Sequence, residues 1–256
     1  PMSADADKPF HGTGTTLAQW QASRALQAVP TISRDLLLPA GSRLVVVAPH
    51  PDDEVLMCGG LLANLALDDS ELLLISVTDG TGSHPGSTLW PVERLRSERP
   101  RESADALSRL GFDPRTIEWQ RLGLADSAVA DSHESLLQQL NAVLRNGDRV
   151  LTTWRHDGHC DHEAVGRACA SASRRCQAQL LEVPVWAWHW AHPEDPRLPW
   201  LRARKLAVPA HTLKRKRAAL AAHRSQVLAD PSTGRPAILS TATLERLLQP
   251  FELVFL

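Results

Sequence analysis

The segment Ala48-Pro49-His50-Pro51-Asp52-Asp53-Glu54 puts one imidazole and three carboxylates within five residues. Carboxylates this close repel one another unless a cation, a helix N-terminus or a shared proton relieves them, and a divalent metal ion is the economical answer. Prolines on both sides of His50 keep the backbone extended, which aims His50 and Asp53 at one point and sends Asp52 elsewhere. A blander origin is helix capping by Asp52 and Asp53, although a cap needs only one of them. A second cluster, Trp154-Arg155-His156-Asp157-Gly158-His159-Cys160-Asp161-His162-Glu163, can complete the site. Three ligands from two separate loops, with a position left for water, are the pattern of a catalytic zinc site. Nitrogen and oxygen donors make zinc the default, and Fe2+ or Co2+ fit the same set. His162 is assigned to the metal with His50 and Asp53, because it opens the next predicted helix and is rigidly held. His159, in a Gly-flanked turn, is left to stabilise charge on a substrate, with Asp161 a candidate to orient its ring. Cys160 is a weaker alternative as a thiolate ligand, and His156 is expected in solvent.

These clusters need elements that bring them together. Residues 43–48 (RLVVVA) and 72–77 (LLLISV) are short, continuous, β-branched apolar runs, the pattern of strands buried on both faces of a parallel sheet. Residues 55–67 between them are long enough for a crossover helix. Further on, 93–110 reads as a helix stopped by Gly111, 116–120 as a strand, 132–144 as a helix stopped by Gly147, and 149–154 as a strand. The alternation predicts a single α/β domain over residues 1–256 with a Rossmann-like, mostly parallel sheet and helices on both faces. Both clusters then follow strands, at the edge where such sheets bind ligands. Residues 1–40 form an arm with a helix over 17–29, and the core runs from about 43 to 226. In the last third, 180–190 alternates like a strand towards its end, 205–208 is a strand, and 212–226 a basic helix.

Composition narrows the function classes. With 28 Lys and Arg against 29 Asp and Glu, the net charge of -1 gives no field to gather nucleic acid or anionic lipid. No stretch approaches the roughly 20 apolar residues that span a bilayer. The four cysteines form no CxxC pair and suit reduced thiols in the cytoplasm. Met2 reads as a natural start behind a foreign Pro1.

Together these residues resemble the LmbE/PIG-L-like zinc-dependent de-N-acetylases. Pro49 to Glu54 matches the family's Pro-His-Pro-Asp-Asp-Glu loop completely, and His159-Cys160-Asp161-His162 its His-x-Asp-His segment, with Cys160 where proline is more usual. Arg99-x-x-Glu102 leading to Leu110-Gly111, and Lys216-x-x-Ala219 leading to His223-Arg224-Ser225-Gln226, are weaker likenesses, so the resemblance spans about 44–226. It implies zinc on His50, Asp53 and His162, Asp52 as general base, and His159 supporting the tetrahedral intermediate or protonating the leaving amine. It also implies substrate contacts at Arg99 and Asp126. The expected enzyme is a hydrolase of linear amides that removes an N-acetyl or N-acyl group from an amino sugar such as N-acetylglucosamine, or from its conjugate, a small-molecule substrate. A protonated His159 beside the oxyanion would supply the electrostatic term.

Two other classes compete. A nucleotide-binding Rossmann-like protein would need a Gly-rich turn after the first strand, where carboxylates stand instead. A non-catalytic metal-binding protein would keep the ligands without turnover, and Asp52 and His159 beside them argue for chemistry. Residues 78–90 and the tryptophans Trp186, Trp188, Trp190 and Trp200 are candidate pocket walls, with core packing expected for at least two of the four. The basic run Lys214-Arg215-Lys216-Arg217 is expected on a solvated helix face.

Overall fold

A strand made of Leu44-Val45-Val46-Val47-Ala48 has no polar side to turn to water, so it must be covered on both faces. The computed structural model, which describes residues 12–67 and 70–256, buries it in the middle of an eight-stranded sheet. The strands are β1 (Thr31–Ile32), β2 (Leu44–Ala48), β3 (Leu72–Thr78), β4 (Glu118–Leu124), β5 (Arg149–Thr153), β6 (Gln179–Val183), β7 (Ala203–Ala207) and β8 (Phe251–Phe255), ordered β1-β7-β8-β6-β5-β2-β3-β4. All neighbours pair parallel except β8, which lies antiparallel between β6 and β7. The helices are α1 (Leu17–Gln21), α2 (Arg24–Ala28), α3 (Arg34–Leu37), α4 (Asp53–Leu65), α5 (Val92–Leu110), α6 (His133–Val143), α7 (Cys160–Cys176), α8 (Ala187–Trp190), α9 (Ala210–Leu220), α10 (Arg224–Val227) and α11 (Thr241–Leu247).

Successive side chains of β2 feed two different cores. Leu44, Val46 and Ala48 pack with α4, α5 and α9 on one face, and Val45 and Val47 with α6 and α7 on the other. The expected α/β architecture is therefore present. The chain leaves β2 towards β3 on one side and returns as β5 on the other, with Ala48 level with Ser76 and Val47 level with Thr152. That reversal opens a crevice at the strands' carboxyl ends, and both chemical clusters fall there.

Several local expectations change. Residues 17–29 form two short helices, because Ser23 Oγ accepts the amide of Leu26 and starts α2 afresh. The predicted strand after residue 180 ends at Val183, and 187–190 form the helical turn α8. Pro184 has no amide to pair, and the amides of Val185, Trp186 and Ala187 all turn onto the Asp157 carboxylate. The basic helix breaks into α9 and α10, and Lys216 of its basic run is buried, not solvated. The physical reason lies in α4, whose ladder is interrupted at Cys58 (φ -143, ψ 26). Lys216 Nζ donates to the carbonyl of Leu56 (3.0 Å), and the amides of Gly60 and Leu61 donate to Glu252 (2.7 and 3.0 Å). Lys216 and Glu252 close this brace on each other at 2.8 Å. Gly60 allows it, since a Cβ there would sit 2.6 Å from Val208. The sheet continues past residue 226 into β8. No helix among the described residues is long and apolar enough to cross a membrane. Met2, and the first eleven residues of the arm, lie outside the described residues.

Candidate metal centre and active site

His50 follows β2, Asp126 follows β4, and His159 and His162 follow β5 and open α7. His162 Nδ1 meets Asp157 Oδ2 at 2.8 Å, and His50 Nε2 meets Asp161 Oδ2 at 3.0 Å. A carboxylate only accepts, so each imidazole donates from that far nitrogen, which leaves the other ring nitrogen to take a proton or a cation in front of Asp53. Those other nitrogens, His50 Nδ1 and His162 Nε2, lie 3.2 and 3.3 Å from the same oxygen, Asp53 Oδ2. Three potential donor atoms thus converge on one point.

Such a nest asks for positive charge, and the balance of burial against neighbouring charge agrees. Burial opposes charge on both imidazoles, yet Asp126, Asp161 and Asp53 carry His50 well above the ordinary histidine value, and Asp53 and Asp157 carry His162 to about 9. Burial works to raise Asp53 as well, but His162 and His50 beside it hold the carboxyl far below the usual range. The donors of His50, Asp53 and His162 lie within 4.8 Å of one another, so this group could hold an ion. His50, His159 and Asp161 form an overlapping group. It would need the very nitrogen of His50 that carries the proton towards Asp161, so the first group fits an ion better.

Asp52 occupies the N-cap position of α4 but makes no capping hydrogen bond with its side chain, and its backbone stands at φ 129. The capping explanation for this residue therefore fails. Its carboxylate accepts from Arg99 Nη2 at 3.1 Å, and its amide donates to Glu54 Oε2 at 3.0 Å. Burial pushes it up to about 8 against the opposing charge of Arg99. Arg99 is itself buried on α5 and also donates to the carbonyls of Gly80 (2.7 Å) and Pro51 (2.6 Å). Gly80 is obligatory for that approach, because a Cβ there would overlap the guanidinium at 1.9 Å. Arg99 thus lines the pocket while its guanidinium engages Asp52 and two loop carbonyls.

Asp126 also lines the pocket, accepting the amide of Gly82 at 2.7 Å with its other oxygen 3.4 Å from His50 Nε2. Asp161 departs from the expected role. Its carboxylate faces His50 and accepts the amides of Ser127 and Val129 (2.7 and 3.2 Å), while its contact with His159 runs through its own backbone amide to His159 Nδ1 at 3.2 Å. The reason is helical: His159 is the N-cap of α7, and its ring takes an orphan amide of the first turn. An accepting Nδ1 leaves the proton of the neutral ring on Nε2. Burial, helped by His162 and His50, lowers His159 to about 3. The expected protonated His159 is thereby corrected to a neutral N–H donor. Cys160 is exposed and outside both donor groups among the described residues, and His156 is exposed as expected.

The pocket over these groups is a cavity of about 200 Å³. Gly82 and Ser83 of the 78–90 loop line it, as do Leu56, Trp186, Ile238 and Leu239. Of the four candidate tryptophans only Trp186 does so. Trp188 is buried edge-on against Trp20, and Trp190 stacks on Trp154. Asp157, Ile238 and Leu239 escaped the sequence reading. Asp157 had a signal, a carboxylate inside the ligand cluster, whereas an Ile-Leu pair in an irregular segment has none.

Residues 45–173 match the family model described as PIG-L, GlcNAc-PI de-N-acetylase, which is half of the chain. The chain belongs to this family. Among PIG-L relatives, the probable N-acetyl-alpha-D-glucosaminyl L-malate deacetylase 2 of Bacillus cereus is 29% identical over 56% of this chain and 64% of its own length. The chain thus spans less than two thirds of that relative. The 1D-myo-inositol 2-acetamido-2-deoxy-alpha-D-glucopyranoside deacetylase of Rhodococcus jostii is 28% identical over 74% of this chain and 83% of its own. Among solved structures, the zinc inhibited form of the teicoplanin deacetylase Orf2 shares the fold with a TM-score of 0.61, at 19% identity over 84% of this chain and 97% of its own.

Proposed function

We propose that this chain is a metal-dependent N-deacetylase that hydrolyses the N-acetyl or N-acyl amide of an amino sugar or its conjugate, giving acetate and a free amine, with zinc as the ion. The observation that carries the reading is the convergence of the His50, Asp53 and His162 donor atoms beside Asp52, a buried carboxylate that caps nothing. When bound, the ion would polarise the amide carbonyl and acidify the attacking water. Asp52 takes the proton of that water and returns it to the leaving nitrogen, its aim held by Arg99. His159 offers its neutral Nε2–H to the oxygen that gains charge, and one such donor is worth about 3 kcal/mol. Asp126 and the Trp186 wall are assigned to the substrate, the indole to an apolar sugar face. A cavity of about 200 Å³ is small for a ligand site, which suits one amino-sugar unit with the rest of a conjugate outside. Both curated relatives are named for deacetylating a glucosaminyl or 2-acetamido-2-deoxy-glucopyranoside unit. Four free cysteines suit a reducing, cytoplasmic setting.

Elemental analysis of the purified protein, with acetate release measured on a panel of N-acetylated amino sugars, tests the reading. About one ion per chain together with acetate supports it. An ion without acetate from any member would leave a non-catalytic binder, and no ion under non-chelating conditions would remove the metal centre altogether.

A further inference from the structure

We propose that Glu54 and His223 are positioning residues for Asp52: Glu54 fixes the base through its backbone amide, and His223 acts through Glu54. The role given to Asp52 rests on the deacetylase reading, while the geometry stands without it.

The direction of a residue's N–H relative to its side chain is set by φ. Asp52 is held at φ 129, a strained conformation that a non-glycine residue keeps only where its surroundings enforce it. Arg99 takes the carboxylate at 3.1 Å and the Pro51 carbonyl of the same peptide unit at 2.6 Å, the Asp52 carbonyl accepts the amides of Val55 and Leu56 (3.0 and 2.9 Å), and Glu54 Oε2 takes the Asp52 amide at 3.0 Å. With the amide released, Asp52 can relax to negative φ, and its carboxylate swings away from the point where the ligands converge.

Glu54 in turn is fully buried; the Ser103 hydroxyl faces its carboxylate, and its Oε1 makes no close hydrogen bond among the described residues. The imidazole of His223 stands 3.9 Å from that oxygen. His223 is fully buried as well, and neither of its ring nitrogens has a hydrogen-bond partner among the described residues. Each such buried, unpartnered atom destabilises the fold. A phenylalanine would fill the same space without that cost, so packing alone does not account for an imidazole here. The ring is delivered by the junction of α9 and α10, which docks on α5 where the amide and hydroxyl of Ser225 donate to Glu102 at 2.8 and 2.6 Å. His223 lies beyond the 45–173 stretch that matches the family model, so the support of the base reaches outside it.

The test compares Glu54→Asp, which keeps the charge but falls short of the Asp52 amide, with Glu54→Gln, which keeps the reach and loses the charge. His223→Asn and His223→Phe probe the second residue. Metal per chain, kcat, KM and a crystal structure are measured for each. Glu54→Asp and His223→Phe are expected to keep metal and KM, lose about 10- to 100-fold in kcat, and show Asp52 at negative φ. Glu54→Gln should recover most of kcat, the reverse of what a purely electrostatic role would give. Retained kcat in Glu54→Asp, a reversed order of the Asp and Gln variants, or metal lost in step with kcat would each overturn the proposal. Should His223→Phe fail to fold, His223→Asn decides the same way. If the wild type releases no acetate from any amino sugar, the deacetylase reading falls by itself, and the Asp52 conformation in the variant crystals still decides this one.

Discussion

Two loops bring the candidate metal ligands together from neighbouring strand ends, yet they are secured by different means. In the loop after β2, every residue from His50 to Glu54 is buried, and distant side chains hold a backbone at positive φ in place: Arg99 from α5 on Asp52, and Thr78 from β3, whose hydroxyl and amide both donate to the carbonyl of Pro49 (2.9 and 3.0 Å). In the loop after β5, His156 and Cys160 are exposed, and the loop's own carboxylate, Asp157, holds His162 and ties the loop to the segment after β6 through the amides of Val185, Trp186 and Ala187. A conformation enforced from outside can hold a reactive group where it would not rest by itself. One stitched by its own carboxylate can remain accessible to a substrate.

Removing a ligand erases the distinction and should have the largest effect: Asp53→Asn and His162→Ala are expected to lose the ion and acetate release to background, read by elemental analysis and product assay. Asp157→Asn and Asp161→Asn should separate the loops. Each loses the carboxylate behind a ligand histidine and is expected to weaken metal binding about 10- to 100-fold, measured by competition with a chromophoric chelator. Asp157→Asn should also lower the melting temperature more, because three amides of 185–187 share its oxygens against two for Asp161. Equal melting temperatures would mean that the second loop is not stitched by Asp157.

The buried support of the first loop should show in acid. Burial, with Arg99 adding to it, lowers His223 to about 3 in the folded chain, so between the ordinary histidine value and that point only the unfolded chain takes up this proton. Stability therefore falls as pH drops through that window, by roughly 1 kcal/mol per pH unit from this group. Urea titrations from pH 6.5 to 4 should find a shallower slope in His223→Asn, and an unchanged slope would remove His223 from the account. The smallest effect is chemical. Cys160 in the second loop is exposed and should be alkylated in the native protein, whereas Cys58 beneath the first loop and Cys169 are buried, with burial pushing the Cys169 thiol up to about 12. Mass spectrometry after a short iodoacetamide pulse would show the order, and labelling of Cys58 ahead of Cys160 would contradict the burial contrast.

The sequence by itself determined the central parallel strands and put the candidate donors at their carboxyl ends. Apolar runs such as 44–48 can only be buried strands, and His50, Asp53 and His162 are too costly a cluster at strand ends to serve packing. Periodicity failed where a side chain far along the chain overrode it. The turn at 185–187 obeys Asp157, the break in α4 is answered by Lys216 and Glu252, and β8 enters the sheet between strands distant from it in sequence. The same holds within the site. That Asp161 serves His50 through its carboxylate and that Arg99 grips Asp52 depend on distances of about 3 Å between groups tens of residues apart, and which nitrogen of His159 is free depends on how the start of α7 is packed. Residue type fixes which bonds a group can make, but only the packed chain decides which partner arrives, because lone-pair direction and desolvation exist only once the surrounding elements have closed around them.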